Sequence, residues 1–145
     1  MNLRKTAFIS GANRGIGKEI FISLIKNKFN AIVSVRKKTP VFENFISGLT
    51  LSKNQTIKVL EFDLIDHNQI KLEIQKLYKD KVVIDVLVNN AGKAHGALFE
   101  MTPISKLKEV FEVNFFSQLY LTQLLLRLMK KSNSGSIINI GSVSG

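Results

Sequence analysis

Residues 10–17 read Ser-Gly-Ala-Asn-Arg-Gly-Ile-Gly and join an apolar run, residues 7–9, to a stretch with apolar residues at helical spacing. The apolar positions of that stretch are Ile20, Phe21, Leu24 and Ile25. The pattern predicts a strand, a glycine turn and a helix. Glycine lets the backbone approach another group closely, and the helix that follows offers unpaired N–H groups and a positive dipole end. The stretch is therefore predicted to bind a pyrophosphate.

Two other phosphate-binding patterns do not fit this turn. A Walker loop aligned on Gly17 and Lys18 would need glycine at Ala12 and Ser or Thr at Glu19. The common dinucleotide pattern Gly-x-Gly-x-x-Gly differs from the spacing present, Gly-x-x-x-Gly-x-Gly. A strand–helix turn that binds no ligand remains an alternative for the loop taken alone.

Length and composition predict one globular domain, because 145 residues with 45% hydrophobic content can bury a substantial core. The chain has no cysteine, which fits a reducing cytoplasm and leaves no cysteine-based metal site; no metal is expected. The N-terminal apolar run is no signal peptide. The most apolar helical stretch, 119–129, contains Gln123 and Arg127 and is too short to span a bilayer.

The net charge of +10 raises the possibility of a nucleic-acid binder. However, the basic residues are mostly lysines spread along the chain, and no basic stripe interleaved with aromatics is present. We interpret the charge as a solvated surface and expect neither a nucleic-acid nor a membrane partner.

Apolar runs and helical stretches alternate along the chain. The further predicted strands are 31–35, 57–62, 82–88 and 136–140, and the further predicted helices are 40–49, the stretch after Asp66, and a long helix over 103–131. Asp66 and Gln69 form a predicted capping pair for the second of these helices. Alternation of this kind predicts an α/β fold: a Rossmann-type, doubly wound parallel sheet with helices on both faces, over one domain of residues 1–145. Ligands of such sheets bind at the carboxyl ends of the strands, where strand order reverses.

Three groups of residues follow the predicted strands at that edge. Arg36 lies 19 residues after Gly17, where the adenosine ribose of a dinucleotide arrives, and an arginine there accommodates a 2′-phosphate. Asp63, followed by Leu64, can accept from an adenine amino group. Asn89-Asn90-Ala91-Gly92 follows the fourth strand, and its small residues let the backbone lie against a ribose. Surface roles, or a helix-capping role for Asp63, are the alternatives.

The Asn-Asn-Ala-Gly quartet and the glycine spacing together resemble the short-chain dehydrogenase/reductase family over the whole chain. The resemblance implies an oxidoreductase that moves a hydride between a nicotinamide and a small carbonyl or alcohol substrate. It also implies cofactor contacts, carried by Gly11, Asn13, Arg14, Gly15, Ile16, Gly17, Arg36, Asp63, Leu64, Asn90, Ala91 and Gly92. Val35 stands where NAD-preferring members resemble one another in having Asp, so Arg36, with Arg14 and Lys37, favours NADP(H) over NAD(H).

The resemblance also implies catalytic roles for two residues. Ser142 matches the serine that orients and polarises the substrate carbonyl, with Ser144 as the neighbouring alternative. Asn114 matches an asparagine that kinks the long helix and holds a water in a proton relay; a local structural role is the alternative. Family members often form dimers or tetramers through the long helix, which implies a homo-oligomer. His67 and His95 have no partner cluster in the sequence and are expected to be surface or supporting residues.

The family's Tyr-x-x-x-Lys acid–base pair does not occur in residues 1–145. Val82 stands four residues after Tyr78, and Leu124 stands four residues after Tyr120. One hypothesis is that these residues are the N-terminal portion of an NADP-dependent oxidoreductase, inactive alone. The other is a short protein that binds a dinucleotide or a partner without catalysis. Either way, we expect an uncovered strand edge and apolar helix face, with low stability or self-association.

Overall fold

The computed structural model describes residues 4–132 and 134–142. Five strands are present in this part of the chain: β1 Thr6–Ser10, β2 Asn30–Val35, β3 Ile57–Glu61, β4 Val86–Asn89 and β5 Ser136–Asn139. Its α-helices are α1 Gly15–Lys26, α2 Pro40–Ser47, α3 His67–Lys79, α4 Ile104–Phe111 and α5 Ser117–Met129. A 3₁₀ turn, Phe99–Met101, precedes α4, and a π-helical segment, Glu112–Phe116, joins α4 to α5.

The strands form one parallel sheet in the order β3-β2-β1-β4-β5. In this sheet Phe8 of β1 lies between Ile32 of β2 and Leu87 of β4. The chain runs outward from β1 in one direction and then returns to the other side of β1 with β4. Strand order therefore reverses between β1 and β4, and a crevice opens at their carboxyl ends. The predicted Rossmann-type fold is confirmed.

Alternate residues of each strand face opposite layers of helices, as the pleat of a strand requires. On one face, Phe8 and Leu87 pack with buried residues of α3 and α5. On the other face, Ile9 and Val33 pack with residues of α1 and α2, including Phe21. Because both faces are covered, the inner strands are apolar at nearly every position, and helices lie on both faces as predicted.

The predicted start of the fourth strand at residue 82 is wrong, because β4 begins at Val86. Lys81 has a φ of 52°, and the N–H of Val82 donates to Leu77 O, so these residues close the end of α3. Ile84 is fully buried, and its N–H donates to Leu128 O. Val82 and Ile84 are therefore apolar because they pack in the core with α3 and α5. Backbone bonding to β1 begins only at Asp85, whose N–H donates to Thr6 O at 2.9 Å.

The predicted long helix over 103–131 is present as a continuous helical stretch from Ile104 to Met129 that contains the π segment. Pro103 caps α4 with a ψ of 141°, Lys130 follows the last residue of α5, and the π segment lies between α4 and α5. Asn114 lies in the middle of that segment. Its side chain accepts a hydrogen bond from the backbone N–H of Lys93 and donates one to the Lys93 carbonyl. A π turn widens the helix locally, which is typical of functional sites.

β5 is an edge strand among the described residues, and its four side chains are exposed. Exposed apolar side chains also lie on α4 and in the π segment, with Phe111 64% and Phe115 52% exposed. This agrees with the expected uncovered edge and apolar helix face. No helix within the described ranges combines the length and the apolar character that crossing a membrane requires.

Candidate functional site

A cleft of about 890 Å³ lies at the carboxyl ends of β1, β2 and β4, at the point where strand order reverses. All twelve residues predicted to contact a cofactor line this cleft. They are Gly11, Asn13, Arg14, Gly15, Ile16, Gly17, Arg36, Asp63, Leu64, Asn90, Ala91 and Gly92. The sheet therefore brings together four segments that the sequence separates by up to 81 residues.

Two glycines of the turn have backbone angles that other residues rarely adopt. The φ of Gly11 is 71° and that of Gly15 is 54°. A Cβ added at Gly11 would lie 2.9 Å from Ala91 Cα, so the turn packs directly on the segment after β4. A Cβ at Gly17 would lie 2.3 Å from both Asn90 Nδ2 and Gly11 O. The glycine spacing thus follows from how closely this turn meets the end of β4.

Hydrogen bonds lock the same two segments together. Asn90 Nδ2 donates to Ser10 O at 3.1 Å and to Gly11 O at 3.0 Å. In return, Ser10 Oγ accepts from the N–H groups of Asn90 and Ala91, each at 3.0 Å. The side chain of Gln118 on α5 extends the network by donating to Ala91 O at 2.5 Å. These hydrogen bonds therefore join the segments that form the floor of the cleft.

The first turn of α1 faces the cleft without a side-chain cap. Arg14 occupies the N-cap position in extended conformation, and its side chain makes no capping bond. The N–H groups at the start of a helix have no partner within the helix, and the helix dipole makes this end positive. A Cβ at Gly15 would meet no atom within 4 Å, so the space in front of this turn is open. An open, positive, glycine-lined turn fits a pyrophosphate.

The adenosine side of the cleft carries Arg36 and Asp63. Arg36 follows β2, is exposed, and forms no ion pair with the described residues. Asp63 Oδ1 accepts from the N–H of Ile65, and the N–H of Asp63 donates to Gln69 Oε1. Gln69 was predicted to cap α3 reciprocally with Asp66. Only the Asp66 half of that box is present, since the Gln69 side chain instead holds Asp63 in place.

Asn114 does not line the cleft but holds one of its walls. Its Oδ1 accepts from Lys93 N at 2.7 Å, and its Nδ2 donates to Lys93 O at 2.9 Å. Lys93 Nζ in turn pairs with Glu109 on α4, and Lys106 donates to the same carboxylate. Hydrogen bonds from these two lysines lower the pKa of Glu109 below its ordinary value.

Ser142 lies three residues beyond β5, on the edge where the strands end. It is not among the residues that line the cleft. Ser144, the alternative, lies outside the described residues.

The expectation that His67 has no partner cluster is wrong. Its ring stacks on Tyr120 with 4.6 Å between centroids, and its Nε2 lies 3.1 Å from Glu112 Oε1 and 3.3 Å from Ser117 Oγ. These partners lie about 50 residues away in sequence, so no local pattern reveals them. In the described part of the chain, no group of three or more His, Cys, Asp or Glu side chains is placed to hold a metal ion.

Ser10 and Gln118 were not predicted as supporting residues of the cleft. Gln118 follows Asn114 by four residues, which places both amides on one helix face, and that spacing is the signal that could have found it. Ser10 was noted before the glycines, but nothing local shows that its hydroxyl accepts two N–H groups across the crevice.

A family profile described as short chain dehydrogenase matches residues 5–145. The chain is 37% identical to a 3-oxoacyl-(acyl-carrier-protein) reductase of Buchnera aphidicola, over 99% of this chain and 57% of that protein. It is 33% identical to an NADPH-dependent 3-dehydrocapnine reductase of Ornithobacterium rhinotracheale, over 96% of this chain and 50% of that protein.

The fold is similar to the crystal structure of a short-chain dehydrogenase from Streptomyces avermitilis. The TM-score is 0.84 at 27% identity, over 97% of this chain and 50% of that one. The chain thus spans about half the length of the relatives it matches. The glycine turn and the Asn-Asn-Ala-Gly segment meet at one cleft, and the family profile matches residues 5–145. The chain therefore belongs to the short-chain dehydrogenase family.

Proposed function

We propose that the cleft binds NADP(H) in preference to NAD(H), and that the protein is a reductase or dehydrogenase acting on a carbonyl or alcohol. The observation that carries the proposal is the environment of Arg36 at the end of β2. Its guanidinium borders the cleft and forms no ion pair with the described residues, so it can meet an anionic group on the adenosine ribose. Val35 before it brings no carboxylate that would bind a free 2′-hydroxyl.

In this proposal, different residues of the chain contact different groups of the coenzyme. The first turn of α1 holds the pyrophosphate, Arg36 holds the 2′-phosphate, and the Asp63 carboxyl accepts from the adenine amino group. Backbone of Ala91 and Gly92 lies against the ribose that carries the nicotinamide. Bound there, a nicotinamide coenzyme supplies two-electron oxidation or reduction.

Roles for the remaining predicted residues concern the substrate end. Ser142 orients and polarises the carbonyl oxygen by donating a hydrogen bond. Asn114 keeps Lys93 and the adjoining wall in place through its paired bonds to the Lys93 backbone. The proton donor of the family is a Tyr-x-x-x-Lys pair, and neither Tyr78 nor Tyr120 has a lysine at that spacing. Residues 1–145 alone are therefore expected to bind coenzyme without appreciable turnover.

Equilibrium titration with NADPH and NADH, followed by coenzyme fluorescence, tests the coenzyme preference. Replacing Arg36 with alanine removes a charge-assisted contact, which should weaken NADPH binding by about 10- to 100-fold and leave NADH nearly unchanged. Binding of neither coenzyme, or tighter binding of NADH by the wild-type chain, would refute the proposal.

Lys26→Ala is the matched control for the loss of a positive charge. Lys26 is exposed at the opposite end of α1 from the cleft, about 17 Å along the helix axis. Its replacement should leave both affinities within about twofold, because exposed charges beyond a Debye length are screened. Equal losses in the two variants would show that net charge, and not Arg36, attracts the coenzyme.

The substrate class is proposed from the names of relatives, and an activity assay tests the expected need for a Tyr/Lys pair. A 3-oxoacyl thioester is the first substrate to try, because a relative 37% identical to this chain is named a 3-oxoacyl-(acyl-carrier-protein) reductase. Coenzyme oxidation is followed as the loss of the reduced nicotinamide's absorbance at 340 nm. With residues 1–145, we expect its rate to stay at about the background rate. Turnover by the purified 145-residue chain would contradict the assigned need for a Tyr/Lys pair.

A further inference from the structure

A short basic turn, Arg36 to Lys38, connects β2 to the Thr39 cap of α2 and borders the cleft. All three side chains are exposed. Arg36 lines the main cleft, and Arg36 and Lys37 also line a neighbouring side cleft of about 520 Å³. The conformation of this turn therefore decides where two cations meet a ligand group that lies beyond the end of β2.

The side chain of Glu61, the last residue of β3, holds this turn from the neighbouring strand. Its Oε2 accepts a hydrogen bond from the backbone N–H of Lys38 at 2.6 Å. Glu61 is also the register partner of Val35, and the next N–H, that of Phe62, donates to Val35 O at 3.1 Å. The carboxylate thus closes a loop that starts at Val35 and ends at Lys38, with the cations between these two fixed points.

Glu61 has a second, opposing effect, because it brings a negative charge into the side cleft. Asp63 and Glu73 line the same side cleft, so three carboxylates face two cations there. Charge repulsion alone would weaken binding of a phosphate. Solvent screens exposed charges that are not in contact, whereas a hydrogen bond to an ionised acceptor acts at contact distance. We therefore expect the ordering of the turn to outweigh the repulsion.

We propose that Glu61 is a positioning residue that sets the preference for a 2′-phosphorylated coenzyme by holding the Arg36–Lys38 turn through the Lys38 N–H. The inference rests on the proposed function, because it requires a dinucleotide in the main cleft. Glu61 itself does not contact the coenzyme. It acts through the backbone of a residue two positions after Arg36.

The test compares Glu61→Ala with Glu61→Gln in titrations with NADPH, NADH and 2′,5′-ADP. Alanine removes both the acceptor and the charge, and should weaken NADPH and 2′,5′-ADP by about 10-fold while leaving NADH within about twofold. Glutamine keeps an acceptor oxygen and removes the charge, so it should retain NADPH affinity within about twofold of wild type. A general loss of structure would lower all affinities together.

Glu73→Gln is the matched control. Glu73 lies in the same side cleft but pairs with Lys76 on its own helix, and among the described residues no hydrogen bond or ion pair joins it to the turn. Its replacement should leave NADPH affinity within about twofold, since only a screened charge is lost. Three outcomes would overturn the inference. Glu61→Ala binds NADPH as tightly as wild type, Glu61→Ala loses affinity for NADH as much as for NADPH, or Glu61→Gln loses as much NADPH affinity as Glu61→Ala.

Amide hydrogen exchange at Lys38 supplies a readout that needs no ligand. Without the carboxylate, the Lys38 amide should exchange about 10-fold faster, and glutamine should restore most of the protection. Unchanged exchange in Glu61→Ala would overturn the inference by itself. If the wild-type chain binds neither coenzyme, the proposed function fails and the inference fails with it. If wild type prefers NADPH and Glu61→Ala keeps that preference, only the inference fails.

Discussion

Replacement of Gly17 by alanine tests the packing of the glycine turn against the end of β4. The added Cβ would lie 2.3 Å from Asn90 Nδ2 and 2.3 Å from Gly11 O, closer than real Cβ atoms approach other atoms. Relief requires the Asn90 side chain to move, which breaks its bonds to Ser10 O and Gly11 O, and the Gly11 backbone to shift as well.

The magnitude follows from three contributions. Forcing an extra methyl into a packed site costs about 1–3 kcal/mol, and each lost hydrogen bond costs about 1 kcal/mol. Alanine favours the helical conformation over glycine by about 0.5–1 kcal/mol, which offsets part of this cost. We expect a net loss of about 2–4 kcal/mol, or roughly 6–12 °C in Tm for a chain of this size.

Urea and thermal unfolding, followed by circular dichroism, measure the effect. Gly96→Ala is the control, because a Cβ at Gly96 meets no atom within 4 Å and no positive φ is found there. This control should change the free energy of unfolding by less than about 0.5 kcal/mol. Equal stability of the Gly17→Ala and Gly96→Ala variants would refute the close contact between the turn and Asn90.

Three further predictions concern the core, the wall of the cleft and the apolar helix face. Phe8→Ala should lower the free energy of unfolding by about 3–5 kcal/mol in urea titration, because Phe8 is fully buried in the central strand; a loss below about 1 kcal/mol would contradict its place in the core. The pKa of the Glu109 carboxyl, measured by NMR titration, should lie below its ordinary value, and Lys93→Ala should raise it. The small stabilisation that the ionised Glu109 gives is present at pH above the ordinary pKa of Glu. It is lost as the pH falls through the lowered pKa. An unshifted Glu109 would contradict the pair with Lys93. Phe111→Ser with Phe115→Ser should reduce concentration-dependent association in sedimentation velocity, because both rings are more than half exposed; unchanged association would place the contact elsewhere.

Parallel strand pairing and the positions of most helices follow from local patterns in the sequence. The apolar runs that became β1, β2 and β3 sit within one residue of their predicted bounds, because a strand buried on both faces must be apolar throughout. The glycines of residues 11–17 are equally local signals, since a φ of 71° at Gly11 and the contact at Gly17 exclude most side chains. Twelve of the residues that line the cleft were predicted by number from the glycine turn, the strand ends and the family resemblance, whereas others, such as Lys93 and Glu109, were not.

Segments whose role depends on distant partners were misassigned. Residues 82–84 are as apolar as a strand, yet Val82 closes α3 and Ile84 bonds to α5, and only the position of those helices decides this. A departure from regular helix at Asn114 was expected from the family resemblance, but its partner Lys93, 21 residues earlier in the chain, was not.

The amino-acid sequence by itself determined the alternation of strands and helices, the glycine turn and the amide-rich segment after β4, because these depend on side-chain periodicity and on backbone angles within a few residues. Only the tertiary structure decided that the Ser10 hydroxyl accepts from the N–H of Asn90, 80 residues away, that His67 pairs with Glu112, and that Glu61 accepts from the N–H of Lys38. Hydrogen bonds of this kind need two groups within about 3 Å, and chain folding alone sets which distant groups come that close.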